Sequence, residues 1–146
     1  PLDFDFAKVQ EQSKDNPVFY VQYAHARISS VLSKAKDANM KIDVKTFKSL
    51  KHPSEITVIK KLAEWPRLLE LAAKHNEPHR VAFYLYELAG DFHALWNIGK
   101  EAPETRFLQE DNPELSAEKL SMVSAVQLTI AAGLTILGVA PIDEMR

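Results

Sequence analysis

The amino-acid sequence predicts an all-α fold, a helical bundle of about five or six helices in one soluble domain. Three observations favour this class. Apolar residues recur every three or four positions along most of the chain, runs that alternate apolar and polar residues are few, and only 4 of the 146 residues are glycine. With 46% hydrophobic residues, the chain is long enough to bury a core of its own.

The first predicted helix is a short amphipathic segment over residues 4–14. Asn16 followed by Pro17 indicates a second helix, with asparagine as the N-cap and proline at the first position, where no N–H is required. We expect this helix to extend over residues 17–36, followed by a loop over 37–50 whose second half could instead form a short helical turn. Its apolar face comprises Val18, Val21, His25, Ile28, Leu32 and Ala35.

Prolines divide the middle of the chain. Pro53 with Ser54 begins a further helix. Pro66 is expected to break or kink that helix after Trp65, because proline lacks an N–H and its ring clashes with the preceding turn. A second short helical run then continues to Ala72.

Two long helices are predicted in the second half of the chain. The first covers residues 78–98, and residues 99–115 form the longest loop. Ser116 is predicted to be the N-cap of the last helix, which runs to Leu137 and ends at Gly138. Because this last helix is apolar almost all round, we expect it to be the central and most buried element.

Composition excludes several classes of function. Without cysteine, the chain cannot form a disulfide scaffold, a zinc ribbon, an iron–sulfur site or a thiol nucleophile. The first glycine is Gly90, so neither a Walker loop nor a dinucleotide-binding fingerprint can be built. No secretory signal pattern is evident, and the longest apolar stretch, residues 130–140, is about half the length that spans a bilayer. We therefore expect a soluble, intracellular domain that does not cross a membrane. Because the chain begins at Pro1, we also expect it to be part of a longer protein.

Charge is unevenly distributed, although the formal net charge is only −2. Residues 17–60 contain eight basic and three acidic side chains, whereas residues 101–146 contain three basic and eight acidic ones. The basic part could bind a polyanion. The alternative is that these lysines only solvate the surface.

The histidines do not predict a metal site. His75 and His79 are four residues apart, but Pro78 interrupts the helix that would place them on one face. His25 lies on an apolar face, where a hydrogen-bonded core histidine is the commoner outcome. No catalytic residues are predicted either, since no paired carboxylates share an apolar face and no serine lies in a strand–turn–helix elbow.

Two aromatic stripes are the more informative pattern. On the 17–36 helix, four side chains lie within roughly 60° of one another, away from the apolar face: Tyr20, Tyr23, Arg27 and Lys34. A second stripe on the 78–98 helix comprises Tyr86, His93 and Asn97, with Trp96 at its margin. Exposed aromatic rings beside arginine are typical of surfaces that stack unpaired bases. The same rings could equally fill seams between helices.

Three segments resemble a known family. Residues 16–27, Asn-Pro-Val-Phe-Tyr-Val-Gln-Tyr-Ala-His-Ala-Arg, closely resemble the Asn-Pro-Val-Tyr-Tyr-Val-Gln-Tyr-Ala-His-Ala-Arg signature of arginyl-tRNA synthetases. Residues 77–97 look like the long helix of that family's anticodon domain, and residues 133–145 are similar to its C-terminal signature. The resemblance covers essentially the whole chain and is strongest to bacterial members, in particular to their C-terminal DALR-type anticodon-binding domain.

The resemblance implies that the parent protein is a cytoplasmic ligase that joins arginine to its tRNA using ATP, with Mg²⁺ in a catalytic domain that this chain lacks. Residues 1–16 would be the tail of the catalytic domain or a linker helix, and residues 17–146 the anticodon-binding domain. The implied partner is the anticodon loop of arginine-specific tRNA, and the implied state is a monomer. This chain itself would hold no cofactor and no catalytic residue.

Carried over by position, Tyr20, Tyr23 and Arg27 match the signature helix that faces the anticodon loop in the family. Trp96 matches an aromatic position on the facing helix, and Met145 matches a near-terminal methionine beside that loop. Lys34 and Asn97, from the two stripes, complete the predicted tRNA-binding set.

This sequence departs from the family at two positions. Lys119 replaces the usual arginine near the start of the last helix, so a bidentate arginine contact is lost. Trp96 replaces a more common tyrosine, which removes a phenolic hydroxyl. A function of a different class, a helical domain whose aromatic stripes bury a partner helix, stays open as the alternative.

Overall fold

The computed structural model describes residues 16–42 and 44–145, which form a bundle of helices with no strand in these two ranges. The helices are α1 (Pro17–Asp37), α2 (Pro53–Ala63), α3 (Trp65–Lys74), α4 (His79–Glu101) and α5 (Pro113–Ile136), and a 3₁₀ turn lies at Pro103–Thr105. The predicted all-α class is confirmed. The helix predicted over residues 4–14, and all of the predicted segment 1–16 except Asn16, lie outside the described residues.

The start of α1 follows its local sequence. The side-chain oxygen of Asn16 accepts hydrogen bonds from the backbone N–H groups of Val18 (3.0 Å) and Phe19 (3.4 Å), and Pro17 occupies the first turn. Two otherwise unpaired N–H groups are thereby satisfied, as the Asn-Pro pair predicts. After Asp37 the chain turns through Asn39, which has a positive φ of 54°.

Helices α2 and α3 are two halves of one kinked helix. The residue between them, Glu64, has helical dihedral angles (φ −75°, ψ −19°). Pro66 has no N–H to donate to the carbonyl of Leu62, so the break lies at Glu64, just before Trp65 rather than after it. Counted in this way, the described residues form four helical rods, slightly fewer than the five or six expected, which include the helix over residues 4–14.

The last helix begins earlier than predicted. Its N-cap is Asn112, whose side chain accepts a hydrogen bond from the N–H of Leu115 at 3.1 Å, and Pro113 is its first residue. Ser116, the predicted cap, is fully buried inside the first turn, and its hydroxyl donates to the carbonyl of Gln109 at 2.9 Å. Asn112-Pro113 is thus the same start signal as Asn16-Pro17, and the predicted loop over 99–115 is shorter than expected.

Helix α4, and not the last helix, is the centre of the bundle, because it packs against all four other helices and the 3₁₀ turn. Helix α5 keeps one side outside the core, where Leu128 and Ile136 are exposed. The two helices approach closely at Gly133, where a Cβ atom would lie only 2.6 Å from the Leu85 side chain. The all-round apolar pattern of α5 therefore overestimates its burial.

Among the described residues, α5 is also the one helix long and apolar enough to cross a membrane by length and composition. This differs from the expectation drawn from residues 130–140 alone, because a longer window tolerates a few polar residues. The core helix of a globular bundle meets the same criterion, and the inner side of α5 is buried against α1, α2 and α4.

Candidate nucleic-acid interface

The aromatic stripes of α1 and α4 meet at a seam between the two helices. The ring of Tyr20 lies 4.5 Å from the ring of His93 and 5.1 Å from that of Tyr86. His93 is only 5% exposed, so at this position the seam-filling alternative is the correct one. This part of α4 faces α1 instead of solvent, and burial raises the pKa of Tyr20. Tyr20 from the stripe on α1, and Tyr86 and His93 from the stripe on α4, therefore fill the seam between the two helices.

His93 holds α1 and Arg27 in place through both of its ring nitrogens. Nδ1 lies 3.0 Å from a guanidinium nitrogen of Arg27, and Nε2 lies 3.2 Å from the carbonyl oxygen of Tyr20. Since arginine can only donate, Nδ1 accepts and Nε2 carries the proton that is donated to the carbonyl. Burial lowers the pKa of His93 to about 4, and the positive charge of Arg27 acts in the same direction, so the ring is neutral near pH 7.

Arg27 is enclosed between two aromatic rings. Its guanidinium carbon lies 4.3 Å from the ring centre of Tyr23 on α1 and 4.8 Å from that of Trp96 on α4. Both rings are partly exposed. Tyr23, Arg27 and Trp96 together, called here the aromatic–arginine stack, place two partly exposed aromatic rings and one oriented cation at the edge of the α1–α4 seam.

A first cavity of about 330 Å³ adjoins the aromatic–arginine stack. Tyr23 and Arg27 line it together with Met145, so three of the predicted site residues share one cavity. Two carboxylate residues, Asp143 and Glu144, also line it. Such groups accept hydrogen bonds from base amino groups and repel phosphates, so this cavity suits bases better than backbone.

Met145 reaches this cavity because the C-terminal segment, residues 138–145, folds back along α1. Gly138 has a positive φ of 76°, and its neighbour Val139 donates to the carbonyl of Leu134, which ends α5. Nδ1 of His25 then donates to the carbonyl oxygen of Ile142 over 2.7 Å. The prediction that His25 is a hydrogen-bonded core histidine is confirmed, since it is 7% exposed.

Two further side chains of α1 fasten the C-terminal segment. The amide of Gln22 donates to the carbonyl of Ala140 at 3.0 Å, and the hydroxyl of Ser29 donates to the carboxylate of Asp143 at 2.8 Å. These residues and His25 follow one another at helical spacing, so a single edge of α1 holds the whole segment.

Lys34 and Trp96 line a second cavity, of about 400 Å³. Trp96 also contacts Arg27, so this cavity adjoins the aromatic–arginine stack. Asn97, the remaining predicted residue, is exposed on α4 and is not among the lining residues of either cavity. The structure thus brings five predicted residues into one continuous surface, with Tyr20 in the seam behind it.

The predicted tRNA-binding set omits three side chains near this surface, of which only His93 was named in an aromatic stripe. His93 orients Arg27, and Lys100 and Arg106 line the second cavity. A signal for Lys100 was present, because it lies four residues after Trp96 and hence one helical turn along the same face. No local pattern points to Arg106, since its position depends on how the loop after α4 folds.

Lys119, where the family usually has arginine, lies in the core and outside this surface. It is 1% exposed, and its ammonium donates to the carboxylate of Glu55 on α2 at 2.6 Å. The second oxygen of Glu55 accepts from the N–H of His52 at 3.2 Å, which completes a capping box at the start of α2. Lys119 therefore links α5 to α2.

Within the described parts of the chain, no group of three or more histidine, aspartate or glutamate side chains is arranged to hold a metal ion. The fold and the surface define a helical binding module in which aromatic and cationic groups gather along the α1–α4 seam.

Comparison with known proteins identifies the family. Residues 21–145 match the family described as the DALR anticodon binding domain, and the chain belongs to this family. It is 56% identical over 151 residues to an arginine–tRNA ligase of Ruegeria pomeroyi, and the alignment covers 100% of this chain and 26% of the relative. It is 57% identical over 150 residues to that of Roseobacter denitrificans, with 99% and 26% covered. The chain thus spans about a quarter of the length of these curated relatives.

Solved structures of similar proteins have the same fold. The arginyl-tRNA synthetase of Thermus thermophilus superposes with a TM-score of 0.68 at 28% identity, over 99% of this chain and 24% of that chain. A Campylobacter jejuni structure described as an arginyl-tRNA synthetase superposes with a TM-score of 0.73 at 25% identity, over 99% of this chain and 30% of that chain.

Proposed function

We propose that this chain is the anticodon-binding domain of an arginine–tRNA ligase and that it binds the anticodon loop of arginine tRNA. The observation that carries the proposal is the position of Arg27, enclosed between Tyr23 and Trp96 at the edge of the seam. Proteins usually bind single-stranded RNA by stacking unpaired bases on aromatic rings, and the guanidinium between these two rings adds a cation beside them.

The two cavities beside the aromatic–arginine stack differ in charge and would bind different parts of the RNA. The cavity that contains Met145 is bordered by Asp143 and Glu144 and suits base edges, whereas Lys34 offers a cation to the phosphate backbone. Tyr20 and His93 support the stack from the seam, so its geometry is set before RNA arrives. A preformed site loses less entropy on binding and so binds more tightly.

The parent protein would use ATP and Mg²⁺ to join arginine to the tRNA, with the nucleotide held by the part of the protein that this chain does not include. This chain would contribute binding and no catalytic residue. We further propose that the parent acts in the cytoplasm, away from membranes, and that the domain is monomeric.

The salt dependence of RNA binding tests this function. Each phosphate contact releases counterions, so salt should weaken binding to a fluorescent anticodon stem–loop of arginine tRNA. We expect log Kd to rise by about 0.7–0.9 per contact for each tenfold rise in salt. The same stem closed by an unrelated short loop is the control and should bind more weakly. Binding that is absent, or that is indifferent to salt, would contradict the proposal. A salt-indifferent apolar peptide ligand would favour the helix-docking alternative.

A further inference from the structure

The second cavity combines an apolar wall with a cationic rim. It lies between the C-terminal halves of α1 and α4 and the loop that follows α4. Trp96 and Phe107 form its aromatic wall, with ring centres 6.2 Å apart. Its volume of about 400 Å³ lies within the roughly 300–1,000 Å³ that is usual for small-molecule sites.

Three cations line this cavity, one from each of its walls: Lys34 from α1, Lys100 from α4 and Arg106 from the loop. Arg106 is fixed there, because its Nε–H donates to the carbonyl oxygen of Gly99 at 2.7 Å. None of the described lining residues is acidic, in contrast to the cavity beside Met145, which has two carboxylates. The charge of the second cavity is therefore complementary to an anion.

We propose that the second cavity binds one unstacked nucleotide of the RNA, with its base against the partly exposed ring of Trp96 and a flanking phosphate at Lys34 and Lys100. The proposal rests on the proposed function and extends it, because it adds a site next to the aromatic–arginine stack. An aromatic wall suits the π face of a base, and a cationic rim suits the phosphate attached to it.

Trp96 is the structural reason why the two sites would act together. Its ring contacts the guanidinium of Arg27, whose carbon lies 4.8 Å from the ring centre, and Trp96 also lines the second cavity. A loop whose bases follow the stack would therefore reach the second cavity without leaving the protein surface. The loop after α4, through Arg106 and Phe107, is then the outer wall of an RNA site.

A chemical double-mutant cycle tests the proposal. The probes are anticodon stem–loops of arginine tRNA, each with one loop phosphate replaced by a neutral methylphosphonate, and Kd is measured by fluorescence anisotropy. Lys100→Ala is compared with Lys74→Ala, an exposed lysine at the end of α3 that occupies a similar last-turn position. Thermal melts by circular dichroism establish that each variant is folded.

We expect Lys100→Ala to weaken binding roughly three- to tenfold and to flatten the salt slope by about 0.7, the contribution of one single-strand phosphate contact. At one loop position, the methylphosphonate should weaken binding to the wild type. The same methylphosphonate should cause no further loss of affinity in Lys100→Ala, because the contact is already absent. Lys74→Ala should behave as the wild type does. If Lys100→Ala binds every probe as the wild type does while Arg27→Ala binds weakly, the second cavity is not used and the proposed function stands. If the wild type binds no probe, the proposed function itself fails.

Discussion

The guanidinium of Arg27 donates a hydrogen bond to Nδ1 of His93 across the α1–α4 seam, over 3.0 Å. Only the neutral imidazole can accept this bond. A buried histidine that is neutral thus fixes the direction of the cation that lies between Tyr23 and Trp96. Acid should therefore disturb both the fold and the candidate interface.

We expect the free energy of unfolding to decrease as the pH falls from about 6.5 to about 4. The pKa of His93 is about 4 in the folded chain and near 6.5 when unfolded, so the unfolded state binds more protons within this window. The contribution of His93 to the free energy of unfolding is complete above about pH 6.5. It is lost as the pH falls through the folded-state pKa, and the total loss is roughly 1–3 kcal/mol. Urea unfolding at intervals between pH 7 and pH 4 measures it.

The variant His93→Gln should lose this part of the pH dependence, since glutamine does not titrate. His79→Gln is the matched control, because His79 is well exposed and makes no contact with the α1–α4 seam in the described contacts. Equal pH profiles for the wild type and His93→Gln would show that the buried histidine is not the titrating group.

The buried pair of Lys119 and Glu55 gives a second prediction. Lys119→Met should destabilise the chain by about 3–5 kcal/mol, because it leaves the carboxylate of Glu55 buried without a cation. The double variant Glu55→Gln/Lys119→Met should recover much of the loss, since glutamine keeps an acceptor for the N–H of His52. Chemical denaturation measures both, and a double variant no more stable than Lys119→Met would contradict the assigned ion pair.

Much of the fold is predictable because its signals are local. Asn16 and Pro17 start α1, Pro66 kinks the second rod, and Gly138 ends α5, each through the geometry of one or two residues. The start of α5 was misplaced because Ser116 is a good cap by residue type. Its hydroxyl bonds inward to Gln109, and this contact depends on how the loop packs.

The candidate site was less predictable because it depends on contacts between distant segments. Periodicity placed Tyr20, Tyr23 and Arg27 on one face of α1, but it could not show which part of that face α4 covers. For this reason, periodicity alone does not decide whether His93 is exposed or fills a seam. The contact between Arg27 and His93 joins residues that are 66 positions apart, and no spacing rule predicts it.

The C-terminal segment gives a third prediction. His25→Ala removes the bond to the carbonyl of Ile142 and should release Met145 from the first cavity, weakening RNA binding about as much as deletion of residues 143–146 does. Combining the two changes should add little, because both remove the same contact. His79→Ala is the control. Full additivity in stem–loop binding would mean that His25 does not act through the segment.

Lys34 is expected to contact RNA backbone and not bases, since it is exposed and its ammonium is a point charge. Lys34→Ala should therefore weaken binding of all tRNAs about equally and reduce the salt slope by roughly one or less. Titrations of arginine tRNA and of a tRNA with another anticodon, at several salt concentrations, measure this. A loss confined to arginine tRNA would assign Lys34 a role in base recognition instead.

The most direct test of the central claim is the ratio of the Kd for a stem–loop with an unrelated anticodon to the Kd for the arginine stem–loop. It is measured for the wild type, Tyr23→Ala, Trp96→Ala and Trp96→Tyr, with circular dichroism to establish folding. We expect each alanine variant to lose about 1–3 kcal/mol of affinity for the arginine stem–loop and much less for the other, so that the ratio falls towards one. Trp96→Tyr, which keeps an aromatic ring, should preserve most of the ratio. If both alanine variants are folded and keep the affinity and the ratio of the wild type, the aromatic–arginine stack does not read the anticodon loop.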